Sequence, residues 1–383
     1  MSNVQITDPF FAKAIADISA NNTLFFTPKQ LLYFLDNRLK KNYKSISRFG
    51  WLFPFIFFNL VTSITIFLPL IVNLVVINFF HESSKSTKLN LVSRKQYARN
   101  LQIIGGIILS IGILALKSFT LFVIIVLVGM LPIYLGTRQI GRIELLTQDF
   151  LISESQVKDW LDRWQQINGS ILKILPSPKQ ENTPATINPD VTAYSFDRLV
   201  VCDSASIAQL LIANNFHFEN NCAILSITGY PQSIFNTTMQ MLRRNPDLKV
   251  YAIHDCNPRG IGLVNNLRSH ANWFLNSEIA IIDIGLTPRQ IIATKRGMFI
   301  QSSLESAQAA KQLPEEIRQS LSAEELAWLE SGKFVELESF TPQRIIKVLQ
   351  KGIAGSQSLE GDDSSLLLVG NTGNDMYVVE SFG

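Results

Sequence analysis

Two long stretches of this chain have almost no charged side chains. Residues 51–80 contain none and residues 101–136 contain one, Lys117, although 17% of the 383 residues are charged. Each stretch is longer than the roughly 20 apolar residues that cross a bilayer as a helix. Soluble cores rarely contain such long runs without charge, and backbone in hydrocarbon must be hydrogen-bonded internally. Both stretches are therefore predicted to be helical membrane segments.

Cysteine is also scarce. The chain has three cysteines, Cys202, Cys222 and Cys256, and no two of them have the CxxC spacing. This odd and sparse set argues against the disulfide framework of a secreted protein and favours a reducing compartment. The first 50 residues also lack the apolar core of a signal peptide, so no cleavable signal is expected.

The net charge of +3 is too small to indicate nucleic-acid binding by itself, but the positions of the basic residues are informative. They flank the hydrophobic stretches at Arg38, Lys40, Lys41, Lys44 and Arg48, at Lys85, Lys88, Arg94, Lys95 and Arg99, and at Arg138 and Arg142. Basic flanks tend to remain in the cytoplasm and can hold anionic lipid headgroups. We therefore expect a multi-pass protein of the cell membrane, with the N-terminus and the C-terminal half in the cytoplasm.

Two arrangements of the hydrophobic stretches remain open. As straight helices they would measure about 45 and 54 Å, against a hydrocarbon core of roughly 30 Å. One arrangement has two long tilted spans, and the other has two short helical hairpins that turn near Thr62-Ser63 and Lys117-Ser118. We favour the hairpins, because a lysine is costly at the centre of a membrane. Both arrangements keep the two ends of the chain on one side.

Composition and periodicity divide the chain into five segments. They are residues 1–50, cytoplasmic amphipathic helices; 51–136, the transmembrane region; 137–191, a helix and a linker rich in Pro, Asn and Thr; 192–354, an α/β domain; and 355–383, a tail with a candidate β-hairpin around residues 371–374.

The α/β domain is predicted from short apolar runs that alternate with helical patterns. Strands are expected at Arg198–Cys202, Ala223–Thr228, Leu248–His254 and Ile279–Ile284. Strands that alternate with helices indicate a mainly parallel sheet with flanking helices, and ligands in such sheets bind beyond the carboxyl ends of the strands. The fold class is therefore α/β, preceded by a helical transmembrane region.

The predicted strand ends carry a recognisable set of segments. In order along the chain they are Val200-Val201-Cys202-Asp203, Gly229-Tyr230-Pro231, Leu242-Arg243-Arg244, Asp255-Cys256-Asn257-Pro258-Arg259-Gly260, Ile284-Gly285-Leu286 and Gly332-Lys333-Phe334-Val335-Glu336-Leu337. In order and spacing, residues 195–352 resemble the Toprim domain of the type IIB DNA topoisomerase A subunits and of the related meiotic double-strand-break protein.

This resemblance implies a metal site that has degenerated in this chain. In the family, a glutamate on the first strand and two aspartates of an Asp-x-Asp turn hold Mg²⁺ for phosphodiester chemistry. In this chain, the glutamate position reads Cys202, the second aspartate reads Asn257, and only Asp255 is unchanged. Mg²⁺ prefers hard anionic oxygens, which a thiol does not supply. The candidate metal or phosphate site thus consists of Cys202, Asp203, Asp255 and Asn257. Asp255 is the candidate metal ligand, and Mg²⁺ is the candidate cofactor, with weak support from these residues.

Two further features bear on activity, namely the nucleophilic tyrosine of the family and a set of arginines. The family's nucleophilic tyrosine lies on a DNA-binding module before the Toprim domain, where this chain has its hydrophobic stretches. Tyr33, Tyr43 and Tyr194 match no such module, so topoisomerase activity is not expected. Another set, Arg243, Arg244 and Arg259, is expected either to contact phosphate at the strand ends or to form a solvated basic rim.

These observations predict a membrane-anchored, Toprim-like protein that is a non-catalytic binding or regulatory module for nucleic acid or nucleotide. Two alternatives remain open at this point. One is a metal-dependent nuclease that uses Asp203 and Asp255, and the other is a structural scaffold of a membrane complex. The expected partners are the lipid bilayer, nucleic acid or nucleotide, and further copies of the chain or other members of a membrane complex.

Overall fold

The computed structural model describes residues 6–42, 50–61, 67–87, 89, 91–114, 119–142, 147–178, 196–245, 247–275, 277–293 and 298–358. Several predicted features lie outside these residues: Tyr43, Tyr194, both proposed hairpin turns, most of the linker and the candidate β-hairpin of the tail. The chain divides into two units. We call Met1–Leu35, Ile152–Thr294 and Met298–Gly383 the α/β unit, and Asp36–Leu151 with Lys295–Gly297 the helical unit.

Most of the elements are helices, and the strands are short. In chain order, the helices are α1 (Asp8–Ile18), α2 (Pro28–Asn42), α3 (Leu52–Val61), α4 (Phe67–Lys85), α5 (Leu91–Leu114), α6 (Phe119–Arg142), α7 (Glu154–Asn168), α8 (Ala205–Ala213), α9 (Phe216–Glu219), α10 (Gln232–Leu242), α11 (Pro258–Ile261), α12 (Leu263–Ser269), α13 (Pro288–Ala293), α14 (Leu304–Lys311), α15 (Glu315–Ser320), α16 (Ala323–Glu330) and α17 (Pro342–Ser358). The strands are β1 (Arg198–Cys202), β2 (Cys222–Ser226), β3 (Lys249–Ile253), β4 (Ala280–Asp283), β5 (Gln301–Ser302) and β6 (Lys333–Phe334).

The predicted α/β fold with a parallel sheet is confirmed. Strands β1 to β4 form one sheet in the order β2-β1-β3-β4, and every neighbouring pair is parallel. Cys202 at the end of β1 is in register with Ser226 and Ile253. The carboxyl ends of β1, β2 and β3 are therefore level, so the residues that follow them share one edge. A separate antiparallel pair joins β5 to β6.

Helices cover both faces of this sheet, which explains why most residues of β1, β2 and β3 are apolar and buried. Side chains alternate between the faces along each strand. Leu199 and Val201 face a cluster with α10 and α12, whereas Val200 and Cys202 face a larger cluster with α8, α13, α16 and α17. The two buried clusters together form the core that holds the strand ends in place.

The first 35 residues group with the α/β unit, unlike the predicted separate segment 1–50. Both helices in this region are amphipathic, as predicted, and α1 buries Phe11, Ala14, Ile15 and Ile18. Phe11 packs edge-on against Trp164 of α7, with ring centroids 5.5 Å apart. Phe26 forms a parallel bridge with Ile174. The apolar faces of this segment therefore pack against protein.

In the helical unit, each hydrophobic stretch is divided between two helices, α3 and α4 in the first and α5 and α6 in the second. Helices α5 and α6 approach closely at glycines, since a Cβ on Gly105 would lie 2.4 Å from the carbonyl oxygen of Gly129. Within the described residues, Phe122–Gly141 is the one helical segment long and apolar enough to cross a membrane, which is weak support for insertion. A multi-span membrane region stays a prediction.

Two of the flanking basic residues are buried in the helical unit and are not available to lipid headgroups. The Lys40 ammonium lies 2.7 Å from the Asp36 carboxylate and donates to the carbonyl of Asp149 at 2.6 Å. The Arg94 side chain is fully buried, and its guanidinium donates to backbone carbonyls, including that of Ser84 at 3.5 Å. A buried cation needs partners of this kind. Both cations are therefore held by protein groups inside the unit.

Candidate functional site

The carboxyl edge of the sheet brings Asp203 and Asp255 together. Strand β1 ends at Cys202, and the chain turns so that Oδ2 of Asp203 accepts the Asp255 backbone N–H at 2.7 Å. The other oxygen of Asp203, Oδ1, is buried without a hydrogen-bond partner. Burial raises the pKa of Asp203, and the Asp255 N–H partly offsets this. The turn directly after β1 therefore places the Asp203 carboxylate beside Asp255.

Asp255 is held by a segment far along the chain. Its Oδ1 accepts the backbone N–H of Leu337 at 2.7 Å, and the backbone of the next residue, Cys256, pairs with Val335. Burial raises the pKa of Asp255 well above its ordinary value, and the neighbouring Asp203 charge adds to the shift. The Asp255 carboxyl group therefore links the end of β3 to the segment that carries Glu336.

The other two residues of the predicted site have structural roles. Oδ1 of Asn257 accepts the backbone N–H of Gly260 at 2.7 Å and so caps α11. Cys202 is fully buried in the core, and burial raises the pKa of its thiol well above the ordinary value. Neither residue is arranged as the metal ligand that the family has at its position.

The residues at this edge are not arranged to hold Mg²⁺ in this structure. That ion needs about six oxygens in near-octahedral geometry. One oxygen each of Asp203, Asp255 and Asn257 is instead hydrogen-bonded to a backbone N–H. In the part of the chain that the structure describes, no group of three or more His, Cys, Asp or Glu side chains is placed to hold a metal ion.

The N-terminal segment supplies side chains to the same edge, which the sequence did not predict. The Lys29 ammonium lies 2.8 Å from the Glu336 carboxylate and 3.9 Å from that of Glu338. The Tyr33 hydroxyl donates to Glu336 at 2.7 Å, and the Thr27 hydroxyl donates to Glu338 at 2.7 Å. Only Glu336 had a signal in the sequence, because it belongs to one of the family-like segments.

The environment of Tyr33 does not favour a nucleophile. Its hydroxyl also accepts a hydrogen bond from Nε2 of Gln301 at 2.7 Å. Burial raises the pKa of Tyr33, and the charge of Glu336 and the hydrogen bond to it raise it further. The phenol is therefore held in its protonated form, which agrees with the expectation that this tyrosine has no topoisomerase role.

A buried histidine lies next to Asp255. The Nδ1 atom of His254 is 2.8 Å from the Asp255 carbonyl oxygen, and Nε2 is 3.0 Å from Oδ1 of Asp283. Both neighbours are acceptors, so only the imidazolium can donate to both. Burial alone would lower the pKa of His254, but the charge of Asp283, the hydrogen bonds to Asp283 and Asp255 and the charge of Asp203 together raise it. The ring covers Gly285, where a Cβ would lie 2.3 Å from it.

The three candidate arginines do not share the edge, which corrects one prediction. Helix α10 returns along the sheet, so Arg243 and Arg244 follow its end near the amino ends of the strands. The Arg243 guanidinium donates there to the carbonyls of Ala271 and Trp273, at 2.9 and 3.1 Å. Of the three, only Arg259 of α11, which is exposed, lies at the carboxyl edge beside Asp255.

Comparison with known families supports the Toprim resemblance. Residues 199–351 match the family described as the Toprim domain of the topoisomerase 6 A subunit and Spo11. The match begins in β1, ends in α17 and covers less than half of the 383 residues. No curated protein matches the chain. The similarity therefore concerns the α/β unit and suggests a topoisomerase- or Spo11-like module.

Proposed function

We propose that this chain is a membrane-anchored, Toprim-like module that binds nucleic acid or nucleotide without cleaving it. The absence of cleavage is supported by one observation above all, the hydrogen bonds of Asp203, Asp255 and Asn257 to backbone N–H groups. Phosphodiester chemistry in this family uses carboxylates that are free to hold Mg²⁺. In this chain these side chains tie together the loops that end the strands.

Membrane anchoring is supported by the two stretches that are nearly free of charge and by the exposed apolar side chains of the helical unit. Phe53, Val75 and Leu127 are 78%, 63% and 66% exposed. Exposed apolar surface of this kind is typical of contact with lipid or with a partner protein. The basic flanks favour the cytoplasmic side for the α/β unit. There it has access to nucleic acid and nucleotides.

Phosphate binding at the carboxyl edge is supported by the exposed Arg259 and by the family match. The test uses the full chain, purified in an uncharged detergent, with a fluorescently labelled DNA duplex or a labelled nucleotide. We expect saturable binding that weakens as salt rises, because each phosphate contact releases counterions. Arg259→Ala weakens it. Arg244→Ala, which changes an exposed arginine at the other end of the sheet, serves as the matched control.

The same preparation tests for cleavage. Incubated with supercoiled plasmid and Mg²⁺ or Mn²⁺, the wild-type protein is expected to leave the plasmid intact. One observation favours the alternative of a metal-dependent nuclease: Oδ1 of Asp203 is buried without a hydrogen-bond partner, next to Asp255. Plasmid cleavage that disappears in Asp255→Ala would establish the nuclease. Neither cleavage nor binding would instead favour a scaffold within a membrane complex.

A further inference from the structure

The carboxyl edge of the sheet concentrates negative charge. Four carboxyl groups meet there, since the charges of Asp203, Glu336 and Glu338 all raise the pKa of Asp255. Like charges held at short range in a partly buried site destabilise one another unless a cation or protons neutralise them. This edge is therefore neutralised by protons or by a cation, and in the family that cation is a divalent metal ion.

Helix α2 brings a cation to this edge. The Lys29 ammonium is 2.8 Å from the Glu336 carboxylate, and it is close enough to Glu338 and Asp255 for both to raise its pKa. Burial alone would lower the pKa of Lys29, but the charge of Glu336, the hydrogen bond to it and the charges of Glu338 and Asp255 together raise it. Glu336 and Glu338 expose 18% and 15% of their side chains. Water screens this ion pair less than it would screen a surface pair.

The position of Lys29 is built into the fold. The Gln30 side chain just after it donates to the carbonyl of Phe340 at 3.0 Å and is buried. Upstream, the backbone of Phe25 makes two hydrogen bonds with the Asn214 side chain, and the fully buried Phe26 bridges to Ile174. The start of α2 is therefore docked on both sides of Lys29, which holds the backbone of this residue beside the carboxyl edge.

We propose that the Lys29 ammonium is the resident cation of the carboxyl edge, and that α2 excludes divalent metal ions from it as long as it is docked. The ion pair with Glu336 occupies carboxylate oxygens that a metal would need, and a second cation beside the ammonium would be repelled. This inference goes beyond the proposed function, because it concerns metal affinity whether or not nucleic acid binds.

The test is a Mn²⁺ titration of the full chain in uncharged detergent, without nucleic acid. Free Mn²⁺ is followed by its electron paramagnetic resonance signal, which is lost on binding. We expect no saturable site in the wild type at up to millimolar Mn²⁺. Lys29→Met gains a site that binds Mn²⁺ at least about tenfold more tightly than the wild type does. Adding Asp255→Asn to this variant removes the site. Lys29→Arg keeps the charge and should behave as the wild type does.

Lys158→Met is the matched control, since Lys158 is an exposed lysine on α7. Lys29→Gln provides a second neutral variant that can still donate to Glu336. If a neutral variant loses its fold, as judged by circular dichroism, millimolar Mn²⁺ should restore it, and failure to restore it counts against the proposal. The proposal is overturned if the wild type binds Mn²⁺ as tightly as Lys29→Met. It is equally overturned if both neutral variants fold and bind no better than Lys158→Met.

Discussion

Single side chains at the carboxyl edge have structural duties that their family positions do not suggest. Asn257 stands where the family has a metal-binding aspartate, and in this chain its amide oxygen caps α11. Asparagine and aspartate are both good N-caps, whereas alanine is not. Either asparagine or aspartate at this position is therefore compatible with the fold, whether or not the site binds a metal.

Substitutions of Asn257 test its role as the N-cap of α11. Asn257→Ala removes the acceptor for the Gly260 N–H and should lower the free energy of unfolding by about 1 kcal/mol. Asn257→Asp keeps an acceptor and is the matched control, with a smaller effect expected. Thermal or urea unfolding of the detergent-solubilised chain, followed by tryptophan fluorescence, measures the difference. Equal stability of the alanine variant and the wild type would show that the amide does not act as a cap.

The His254–Asp283 pair predicts a dependence of stability on pH. The pKa of His254 is raised, so its contribution is complete below the unfolded value of about 6.5 and is lost as pH rises through the folded value. For Asp283, burial alone would raise the pKa, but the charge of His254, the hydrogen bond to it and the hydrogen bond from the Gly285 N–H together lower the pKa. The contribution of the carboxylate is therefore present above about pH 4 and is lost as pH falls through the folded value. The ion pair should contribute most between about pH 4 and 6.5.

The test is Asp283→Asn, which keeps an acceptor for the Gly285 N–H but removes the charge. We expect a loss of roughly 1 kcal/mol near pH 5.5, since Asp283 is partly exposed, and little loss at pH 9. Asp247→Asn, at another exposed aspartate, should change stability little at either pH. A loss that is the same at both pH values would mean that the charge of the pair does not contribute.

At the scale of elements, the contact between α5 and α6 depends on small residues. A Cβ on Gly105 would lie 2.4 Å from the Gly129 carbonyl oxygen, and one on Gly136 would lie 2.5 Å from that of Ala98. Glycines at helix contacts allow the close approach that stabilises helix pairs in membranes. The next residue, Gly106, has open space at its Cβ position.

These neighbouring glycines give a matched pair of substitutions. Gly105→Ala forces the helices apart and should lower the stability of the helical unit by roughly 1–3 kcal/mol. Gly106→Ala meets nothing and should leave stability unchanged or raise it by up to about 1 kcal/mol. The thermal midpoint of the protein in detergent is the measurement. Similar effects of the two substitutions would argue against the close packing of α5 and α6.

For the whole molecule, the orientation in the membrane is the prediction on which the proposed function depends. Cysteines placed at Ser2 and Ser381 should resist impermeant thiol reagents in intact cells, because both ends are expected in the cytoplasm. The native cysteines are first replaced by alanine or serine. Labelling at either terminal position would show that this end lies outside the cytoplasm. That result would contradict the proposed function, which requires access of the α/β unit to cytoplasmic nucleic acid or nucleotide.

Two internal positions distinguish the hairpins from the long spans. Lys85 is a suitable probe of the connector, because its side chain is 46% exposed, whereas the adjacent Ser84 is buried. Labelling of a cysteine at Ser118 with protection at Lys85 supports two hairpins. The opposite pattern, with Lys85→Cys labelled and Ser118→Cys protected, supports two long spans.

The sequence by itself determined the features that depend on local patterns. Charge-free runs indicated the helices of the hydrophobic stretches, and alternating strand and helix patterns indicated a parallel sheet with Asp203 and Asp255 at one edge. These predictions succeed because the periodicity of an element and the order of its neighbours are written in consecutive residues. Most of the family-like segments also lie at strand ends, where their spacing is visible in the chain.

Only the tertiary structure decided what surrounds those strand ends. Lys29 meets Glu336 across 307 positions of sequence, and Asp255 accepts the N–H of Leu337 across 82. The direction of α10 likewise moved Arg243 and Arg244 to the far end of the sheet. Such contacts arise when the faces of distant elements pack together, and no local period encodes which face meets which. Whether this edge holds a metal or an ammonium therefore depends on the packing of α2, a helix outside the segment that resembles the family.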